Sequence, residues 1–223
     1  MKDYYKAYED RYRIVHSKNK LWGSSKSTKE VIDIINKYNI SSSQKILEVG
    51  CGEGRDVIYL LNNGYDVVGI DYSKSAIAKC NEITNNRYKD RFISFDIMND
   101  KLSSKFYFIY SIAVIHMFLD DEDRNNFYKF IYEHLENDGI ALIISMGDGE
   151  SNFKSEKKDA YKLVYRTNLN DNSKIKVTST SCRVVDMNGF INEAVNNNFK
   201  VIDKCIIKDV PHFNSCMMMV LRK

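Results

Sequence analysis

The 223-residue sequence lacks any apolar run long enough to cross a bilayer, and it has no run of more than two consecutive basic residues. A membrane-spanning helix needs about 20 apolar residues, so this absence argues against a place in the membrane. The 33 Lys and Arg residues are nearly balanced by 30 Asp and Glu residues, which argues against a nucleic-acid partner. The opening residues, MKDYYKAYEDRYR, contain no apolar core of the signal-peptide type. We therefore expect a soluble, cytoplasmic protein.

The sequence also lacks the cysteine patterns of a disulfide framework or a zinc site. Its cysteines are odd in number and never form C-x-x-C; they are Cys51, Cys80, Cys182, Cys205 and Cys216. Secreted disulfide scaffolds and structural zinc sites both depend on paired or closely spaced cysteines. We expect reduced thiols and no bound metal.

What the sequence does contain is a nucleotide-binding half-unit at residues 45–72, KILEVGCGEGRDVIYLLNNGYDVVGIDY. Ile46, Leu47 and Val49 form an apolar run typical of a parallel strand that is buried on both faces. Three glycines then allow the backbone to turn sharply, and the helix that follows directs its positive dipole end at a ligand. A second apolar strand closes the unit and ends at Asp71.

The glycine spacing distinguishes two nucleotide chemistries. The dinucleotide fingerprint is G-x-G-x-x-G, whereas this turn reads G-x-G-x-G and places Arg55 at the third glycine. Glu48 precedes the turn, where a carboxylate would repel a pyrophosphate and attract a cationic, amino-bearing ligand. A positively charged adenosine derivative therefore fits these residues better than NAD, and an NAD-dependent oxidoreductase is the weaker alternative.

These residues resemble the class I methyltransferases that use S-adenosylmethionine. The segment EVGCGEG, from Glu48 to Gly54, is similar to their first motif, and VVGID, from Val67 to Asp71, is similar to their acidic-ended second strand. Arg55 and the run DVIYLLNNGY after it resemble especially the small-molecule and tellurite-resistance members. The resemblance covers residues 20–145 well and the remainder loosely.

Strand and helix patterns alternate along the chain and predict a parallel, doubly wound sheet. Ser27-x-x-Glu30 is a capping-box pattern for a helix that ends near Asn39, and Ser73 is placed to cap a later helix. Asn137-Asp-Gly139 is expected to turn into a fifth strand. In the resembled family two closing strands, here 199–208 and 216–222, form a hairpin whose final strand runs antiparallel. The expected fold is a mostly parallel, seven-stranded, Rossmann-like sheet.

We expect one domain with two covering segments. The aromatic N-terminal segment, which includes Trp22, either lies over the cofactor or anchors itself to the core. The polar stretch after the fifth strand is either a substrate lid at the ligand-binding edge or a solvated excursion. The expected parts are a cofactor-covering segment at 1–26, a cofactor-binding core at 27–146, a possible substrate lid at 147–185, and a closing helix and hairpin at 186–223.

The cofactor site is assigned from chemistry and from the resemblance. Asp71 ends its strand beside the glycine turn, and one carboxylate can accept hydrogen bonds from both ribose hydroxyls of an adenosine. The resemblance implies that Asp96 receives the adenine amino group beside the amide of Ile97, although Asp96 could instead begin a turn. It also implies that Glu48 orients the methionine ammonium. The predicted cofactor-binding residues are Trp22, Glu48, Gly50, Cys51, Gly52, Gly54, Arg55, Asp71, Tyr72, Asp96, Ile97 and Ser111.

His116 is the candidate general base, because the segment IAVIHMF after the fourth strand passes close to the transferred methyl group in the resembled family. Its alternative role is to pack or to orient the cofactor, since in-line positioning supplies much of the rate of methyl transfer. Arg166 and His212 could contact substrate, or they could be ordinary surface residues.

The resemblance implies an enzyme that transfers a methyl group from S-adenosylmethionine to a heteroatom of a small molecule, with S-adenosylhomocysteine as product. Pro211 is the only proline and is followed by His212. The sequence therefore lacks the paired prolines of adenine-amino methyltransferases and the Pro-Cys of cytosine-carbon methyltransferases. Two alternatives stay open, namely an inactive cofactor-binding or regulatory protein and an RNA or protein methyltransferase.

Overall fold

The computed structural model describes residues 3–24, 26–168, 170–208, 210 and 213–223. The helices in this part of the chain are α1 (Ala7–His16), α2 (Lys29–Lys37), α3 (Arg55–Asn62), α4 (Lys74–Ile83), α5 (Asp121–His134) and α6 (Met187–Asn196). The strands are β1 (Ile46–Val49), β2 (Val67–Asp71), β3 (Phe92–Ser94), β4 (Phe106–Ile112), β5 (Leu135–Met146), β6 (Phe153–Lys154), β7 (Leu163–Thr167), β8 (Lys174–Thr178), β9 (Arg183–Val184), β10 (Lys200–Lys208) and β11 (Ser215–Arg222).

Seven strands form one sheet in the order β10-β11-β5-β4-β1-β2-β3. The pairs β5-β4, β4-β1, β1-β2 and β2-β3 are parallel, whereas β11 is antiparallel to both of its neighbours. The predicted seven-stranded, mostly parallel sheet with an antiparallel last strand is therefore confirmed. Its strand order reverses at β1, which places a ligand-binding crevice at the carboxyl ends of β1 and β4.

Helices cover both faces of the sheet and make a three-layer core. On one face, α2, α3 and α4 bury residues such as Ile34, Leu60 and Ile77 against the sheet. On the other face, α5 and α6 bury Phe127 and Phe190. The strands are apolar on both faces because both faces are covered. No helix of the described residues is long and apolar enough to cross a membrane.

Two local predictions are wrong. The cap of α2 is Thr28 rather than Ser27, and the amide and hydroxyl of Thr28 both donate to the carboxylate of Asp56 on α3. A partner distant in sequence thus replaces the local capping box. Asn137 to Gly139 do not form a turn before β5, because the strand begins at Leu135 and runs through them with a shift of register against β4.

Beyond β5 the chain forms two small sheets apart from the main one. Two short strands form the β7–β8 hairpin, and β6 pairs with β9 in a second ladder. The β7–β8 hairpin packs on α1, where Ile175 and Val177 form an apolar cluster with Val15 and Trp22. The N-terminal segment and the insertion therefore meet above the carboxyl edge of the sheet.

Candidate active site

A cavity of about 590 Å³ lies at the carboxyl ends of β1, β2 and β4. Its size is within the range of small-molecule and cofactor sites. It brings together most of the residues predicted to form the site, namely Trp22, Glu48, Gly50, Cys51, Gly52, Arg55, Asp71, Tyr72, Asp96, Ile97 and His116.

Gly54 and Ser111 are the two predicted site residues that lie outside the cavity wall. Gly54 precedes α3, and a Cβ there would lie 2.8 Å from the Phe92 ring and 2.9 Å from the Cys80 sulfur. The hydroxyl of Ser111 donates to the carbonyl of Val49 at 2.9 Å, so it links β4 to the end of β1. Of the two candidate substrate contacts, Arg166 lines the cavity, and His212 lies outside the described residues.

The glycine turn presents bare backbone to the cavity. Gly50 and Gly52 have φ values of +77° and +52°, a region that side chains with a Cβ rarely adopt. A Cβ on Gly50 would overlap the side chain of Val114, and one on Gly52 would lie 2.6 Å from the hydroxyl of Tyr12. Other side chains thus already occupy the space beside these two glycines, so a larger residue would not fit the turn.

Asp71 ends β2 beside this turn. One carboxylate oxygen accepts a hydrogen bond from the amide of Gly52 at 2.8 Å, and the other accepts from the amide of Ser73 at 2.7 Å. Burial raises the pKa of Asp71 to about 6, although both amide hydrogen bonds act to lower it. Each oxygen keeps a free acceptor position, so the carboxylate can still accept from two hydroxyl groups.

Glu48 lies on β1 directly below the turn and is only 3% exposed. The hydroxyl of Tyr110 donates to its Oε2 at 3.1 Å. Burial, and then the nearby carboxylate of Asp56, raise the pKa of Glu48 well above its usual range. Arg55 does not form an ion pair with Glu48, because its guanidinium donates to the Thr28 hydroxyl and to Asp56.

Asp96 follows β3 and is held by three donors. Its carboxylate accepts from the amide of Met98 and from the side-chain amide of Asn99, which is the turn role considered as an alternative. Its third partner is the ammonium of Lys6 at 3.0 Å, which also lies 4.7 Å from the ring centroid of Tyr72. The N-terminal segment thus reaches the place predicted for the adenine amino group.

Glu53, inside the glycine turn, holds the segment that covers the cavity. Its carboxylate accepts hydrogen bonds from the backbone amides of Trp22 at 2.8 Å and Gly23 at 2.7 Å. The Nε2 of His16 lies 2.7 Å from the same carboxylate. These contacts were not predicted, because the acid at this position of the motif carries no local signal for a partner about 30 residues earlier.

Three further residues of α1 contact the site or its supporting elements, and sequence reasoning did not single out two of them, Glu9 and Arg11. Glu9 accepts hydrogen bonds from Ser73 and Ser75 at the start of α4. Tyr12 covers Gly52, as noted above, and Arg11 is only 5% exposed although it is a cation. The helical spacing of Tyr5, Tyr8 and Tyr12 was the available signal that this face of α1 is buried.

Arg11 joins α1 to the insertion. Its guanidinium donates to the carbonyl of Thr178 at 2.9 Å and to the hydroxyl of Thr180 at 3.2 Å. It also lies between the rings of Tyr8 and Trp22, at 4.7 and 4.8 Å from their centroids. Within the described part of the chain, Arg11 forms no ion pair with a carboxylate.

We call α1, residues 17–24 and the β7–β8 hairpin together the roof. Besides Arg11, the two parts of the roof are joined by hydrogen bonds from the side-chain amides of Asn168 and Asn170 to the carbonyl of Leu21. Lys20 adds an ion pair with Asp171 at 2.6 Å. The N-terminal segment and the insertion thus form one connected cover.

His116 lies in a short 3₁₀ turn after β4 and is 4% exposed. Burial lowers the pKa of its imidazole to about 4, with smaller effects from Arg124 and Arg11. Its Nδ1 atom is buried and has no hydrogen-bond partner among the described residues. The imidazole is therefore neutral at physiological pH and can accept a hydrogen bond, but it is a weak base.

The cavity lining carries charge of both signs. The lining carboxylates belong to the sheet edge and the glycine turn; they are Glu48, Glu53, Asp71 and Asp96. The arginines of the described lining are Arg55, at the start of α3, and Arg11 and Arg166, which both belong to the roof. In the described residues no group of three or more His, Cys, Asp or Glu side chains is arranged to hold a metal ion.

The sequence matches known families over much of its length. The family model described as "Tellurite resistance protein TehB" matches residues 14–155. A probable S-adenosyl-L-methionine-dependent methyltransferase TehB of Haemophilus influenzae is 32% identical over 114 residues, which cover 51% of this chain and 40% of that protein. Thiocyanate methyltransferase 1 of Arabidopsis thaliana is 28% identical over 126 residues, 55% of each chain. The match thus spans about half the length of these curated relatives, or less.

Solved structures share the fold. The 1,6-didemethyltoxoflavin-N1-methyltransferase of Burkholderia thailandensis superposes with a TM-score of 0.72 at 14% identity, over 97% of this chain and 87% of that one. An S-adenosylmethionine-dependent methyltransferase from Clostridium acetobutylicum gives a TM-score of 0.65 at 15% identity, over 87% and 89% of the two chains. At these identities the likeness establishes the fold.

Proposed function

Since the chain belongs to the TehB family of tellurite resistance proteins, we propose that it transfers the methyl group of S-adenosylmethionine to a heteroatom of a small-molecule acceptor. The observation that carries this proposal is the convergence of the glycine turn, Glu48 and Asp71 on one covered cavity. Bare backbone, a ribose-binding carboxylate and a buried acid for a cation are what this cofactor requires. When bound, S-adenosylmethionine supplies a methyl group on a positively charged sulfur, which an electron-rich atom displaces in line.

The residues of the chain divide the work of binding. Asp71 accepts hydrogen bonds from the ribose hydroxyls, and Ile97 and Tyr72 flank the base beside Asp96. Glu48 faces the amino-acid end of the cofactor. The roof excludes water, which strengthens each of these polar contacts. Tyr8, Tyr12 and Trp22 add aromatic surfaces, and the face of an aromatic ring attracts a cation.

The charges of the cavity lining support the acceptor part of the proposal. The carboxylates suit the cationic cofactor, and the guanidinium groups of Arg11 and Arg166 in the roof suit an acceptor that is electron-rich. The relatives named for thiocyanate and for a toxoflavin precursor act on small molecules. A closed roof with so small a cavity beneath it also favours a small acceptor over RNA or protein.

His116 contributes position rather than strong basicity in this proposal. A neutral imidazole with a pKa of about 4 can accept a hydrogen bond from the acceptor and orient its lone pair. Its low basicity favours an acceptor that is nucleophilic without losing a proton in the transfer step. Of the two roles considered for His116 from the sequence, we therefore propose positioning rather than general-base catalysis.

Two measurements test the proposal. Calorimetry with S-adenosylhomocysteine and with NAD should show binding of the former only, and tighter binding of NAD would overturn it. Incubation with methyl-labelled S-adenosylmethionine and a metabolite extract should label a small molecule, and the Asp71→Ala variant is the matched control. Cofactor binding without any labelled product would favour the alternative of a non-catalytic binding or regulatory protein.

A further inference from the structure

Glu48 is a buried acid that faces the cavity and is not ion-paired to a cation of the described residues. Glu48 is only 3% exposed, and its hydrogen-bond donor among the described residues is the hydroxyl of Tyr110 at 3.1 Å. No ion pair joins it to a Lys, Arg or His side chain in the described part of the chain. An isolated buried carboxylate is costly, so such a group takes up a proton instead of remaining charged.

The surroundings of Glu48 strengthen this tendency on balance. Asp56 on α3 is a second acid that acts on Glu48, and its own carboxylate accepts hydrogen bonds from the amide and hydroxyl of Thr28. Cys80 on α4 also disfavours the charged form. Arg55 and Tyr110 act in the opposite direction, but burial outweighs them, so that the pKa of Glu48 lies well above its usual range.

We propose that binding of the amino-acid end of the cofactor expels one proton from Glu48, so that cofactor affinity is linked to pH through this residue. This inference rests on the proposed function. The carboxyl O–H bond breaks, the proton passes to solvent, and the carboxylate that remains pairs with the ligand's ammonium group. Glu48 then distinguishes ligands that carry an ammonium group from adenosine derivatives that lack one.

Without ligand, the protonated carboxyl of Glu48 is neutral and leaves no uncompensated charge beneath the glycine turn. With ligand, the incoming cation provides the compensation that the protein itself lacks. Because one proton is released, affinity for an ammonium-bearing ligand should rise with pH by up to about tenfold per pH unit while Glu48 is protonated in the free protein.

Asp71 is the main competing source of a proton. Burial raises its pKa to about 6, and it must be ionised to accept two hydroxyl groups. Both ligands of the test should therefore contain the ribose. S-adenosylhomocysteine and 5′-methylthioadenosine share the adenosine, but only the first carries the amino-acid chain. Comparing the two separates Glu48 from Asp71.

The experiment is calorimetric titration of the intact protein at about pH 7.2 in buffers of different ionisation enthalpy, which counts the protons released on binding. For the parent, S-adenosylhomocysteine should release more protons than 5′-methylthioadenosine, with a difference of at most about one proton. In Glu48→Gln, which keeps the shape and removes the titrating group, the two ligands should release equal numbers. The affinity of Glu48→Gln for S-adenosylhomocysteine should also lose the pH dependence of the parent.

Several outcomes would overturn the inference. One is equal proton release by the two ligands in the parent, and another is undiminished extra release in Glu48→Gln. Were the variant too unstable to titrate, the comparison of ligands on the parent would still decide. A protein that binds neither ligand would instead contradict the proposed function, so the two failures are distinguishable.

Discussion

The carboxylate of Glu53 accepts a hydrogen bond from the backbone amide of Trp22 at 2.8 Å. Glu53 belongs to the glycine turn, and Trp22 belongs to the roof. The ligand-binding turn therefore holds its own cover, and the same carboxylate also binds the amide of Gly23. A change in the turn should be transmitted directly to the roof.

The first prediction concerns this contact. In Glu53→Gln the acceptor of two amide hydrogen bonds loses its charge, and a hydrogen bond to a charged group contributes about 1.5–3 kcal/mol. Amide hydrogen exchange in residues 17–24 should become at least about tenfold faster. Glu150 is an exposed acid of the insertion. Glu150→Gln is therefore the matched control and should leave amide exchange in residues 17–24 unchanged. Unaltered exchange in Glu53→Gln would show that other contacts suffice to hold the roof.

A second prediction tests the ribose assignment of Asp71. Asp71→Asn keeps the shape but loses the charge that strengthens hydrogen bonds to ligand hydroxyl groups. Affinity for S-adenosylhomocysteine should fall at least about tenfold, corresponding to the loss of about 1.5 kcal/mol or more. Titration calorimetry measures it. An affinity equal to that of the parent, with an unchanged melting temperature, would remove Asp71 from the cofactor site.

The third prediction uses two glycines with similar backbone angles. Gly50 and Gly64 have φ values of +77° and +81°. An added Cβ would overlap Val114 at the first position and meet nothing within 4 Å at the second. Both alanine variants should lose about 1–2 kcal/mol of unfolding free energy through strain. Only Gly50→Ala should lose a further amount, about 1–3 kcal/mol, from overpacking. Urea unfolding of both decides, and equal losses would contradict the close contact.

The fourth prediction is the pH dependence of stability that His116 causes. Burial lowers the pKa of its imidazole to about 4, whereas the unfolded chain titrates near 6.5. Below about pH 6.5 the imidazole is protonated in the unfolded state but stays neutral in the folded state. The free energy of unfolding therefore decreases as the pH falls toward 4. The contribution lost is on the order of 3 kcal/mol. His116→Gln should show a correspondingly smaller loss of unfolding free energy between these pH values, and an identical loss would refute the assignment.

The fifth prediction concerns the insertion. The sequence predicted a possible substrate lid at residues 147–185, with a solvated excursion as the alternative. The described structure joins it to α1 through Arg11 and through the cluster of Val15 with Val177. Replacing residues 151–172 by a short glycine linker should therefore speed amide exchange in α1 as well, and methyl transfer should fall more than cofactor binding. Unchanged exchange in α1 would favour an independent lid.

The fold was largely predictable because its signals are local. The apolar run at Ile46 to Val49, the helix cap at Ser73 and the acidic first turn of α5 each depend on neighbouring residues, and each is present. The cavity was predictable for the same reason, since its glycines and Asp71 lie in one half-unit of the sequence.

The rest was not predictable, because it depends on partners far apart in the chain. Thr28, the N-cap of α2, donates two hydrogen bonds to Asp56, whereas the local pattern had predicted a cap at Ser27. Arg11 reads as a surface cation on an amphipathic helix until its partners more than 160 residues later are in place. The low pKa of His116 likewise arises from burial, which composition and spacing do not report.

The antiparallel strand β11 has a consequence for how the protein is made. It lies between β5 and β10 and pairs with both, so neither neighbour is complete until residues 215–222 have been synthesised. During translation β5 must present an unpaired, apolar edge, the kind of template that recruits other chains. The strands that carry the glycine turn and Asp71 can associate much earlier, since they are close in sequence. The strands that form the ligand-binding crevice can thus pair in the nascent chain before β10 and β11 have been synthesised.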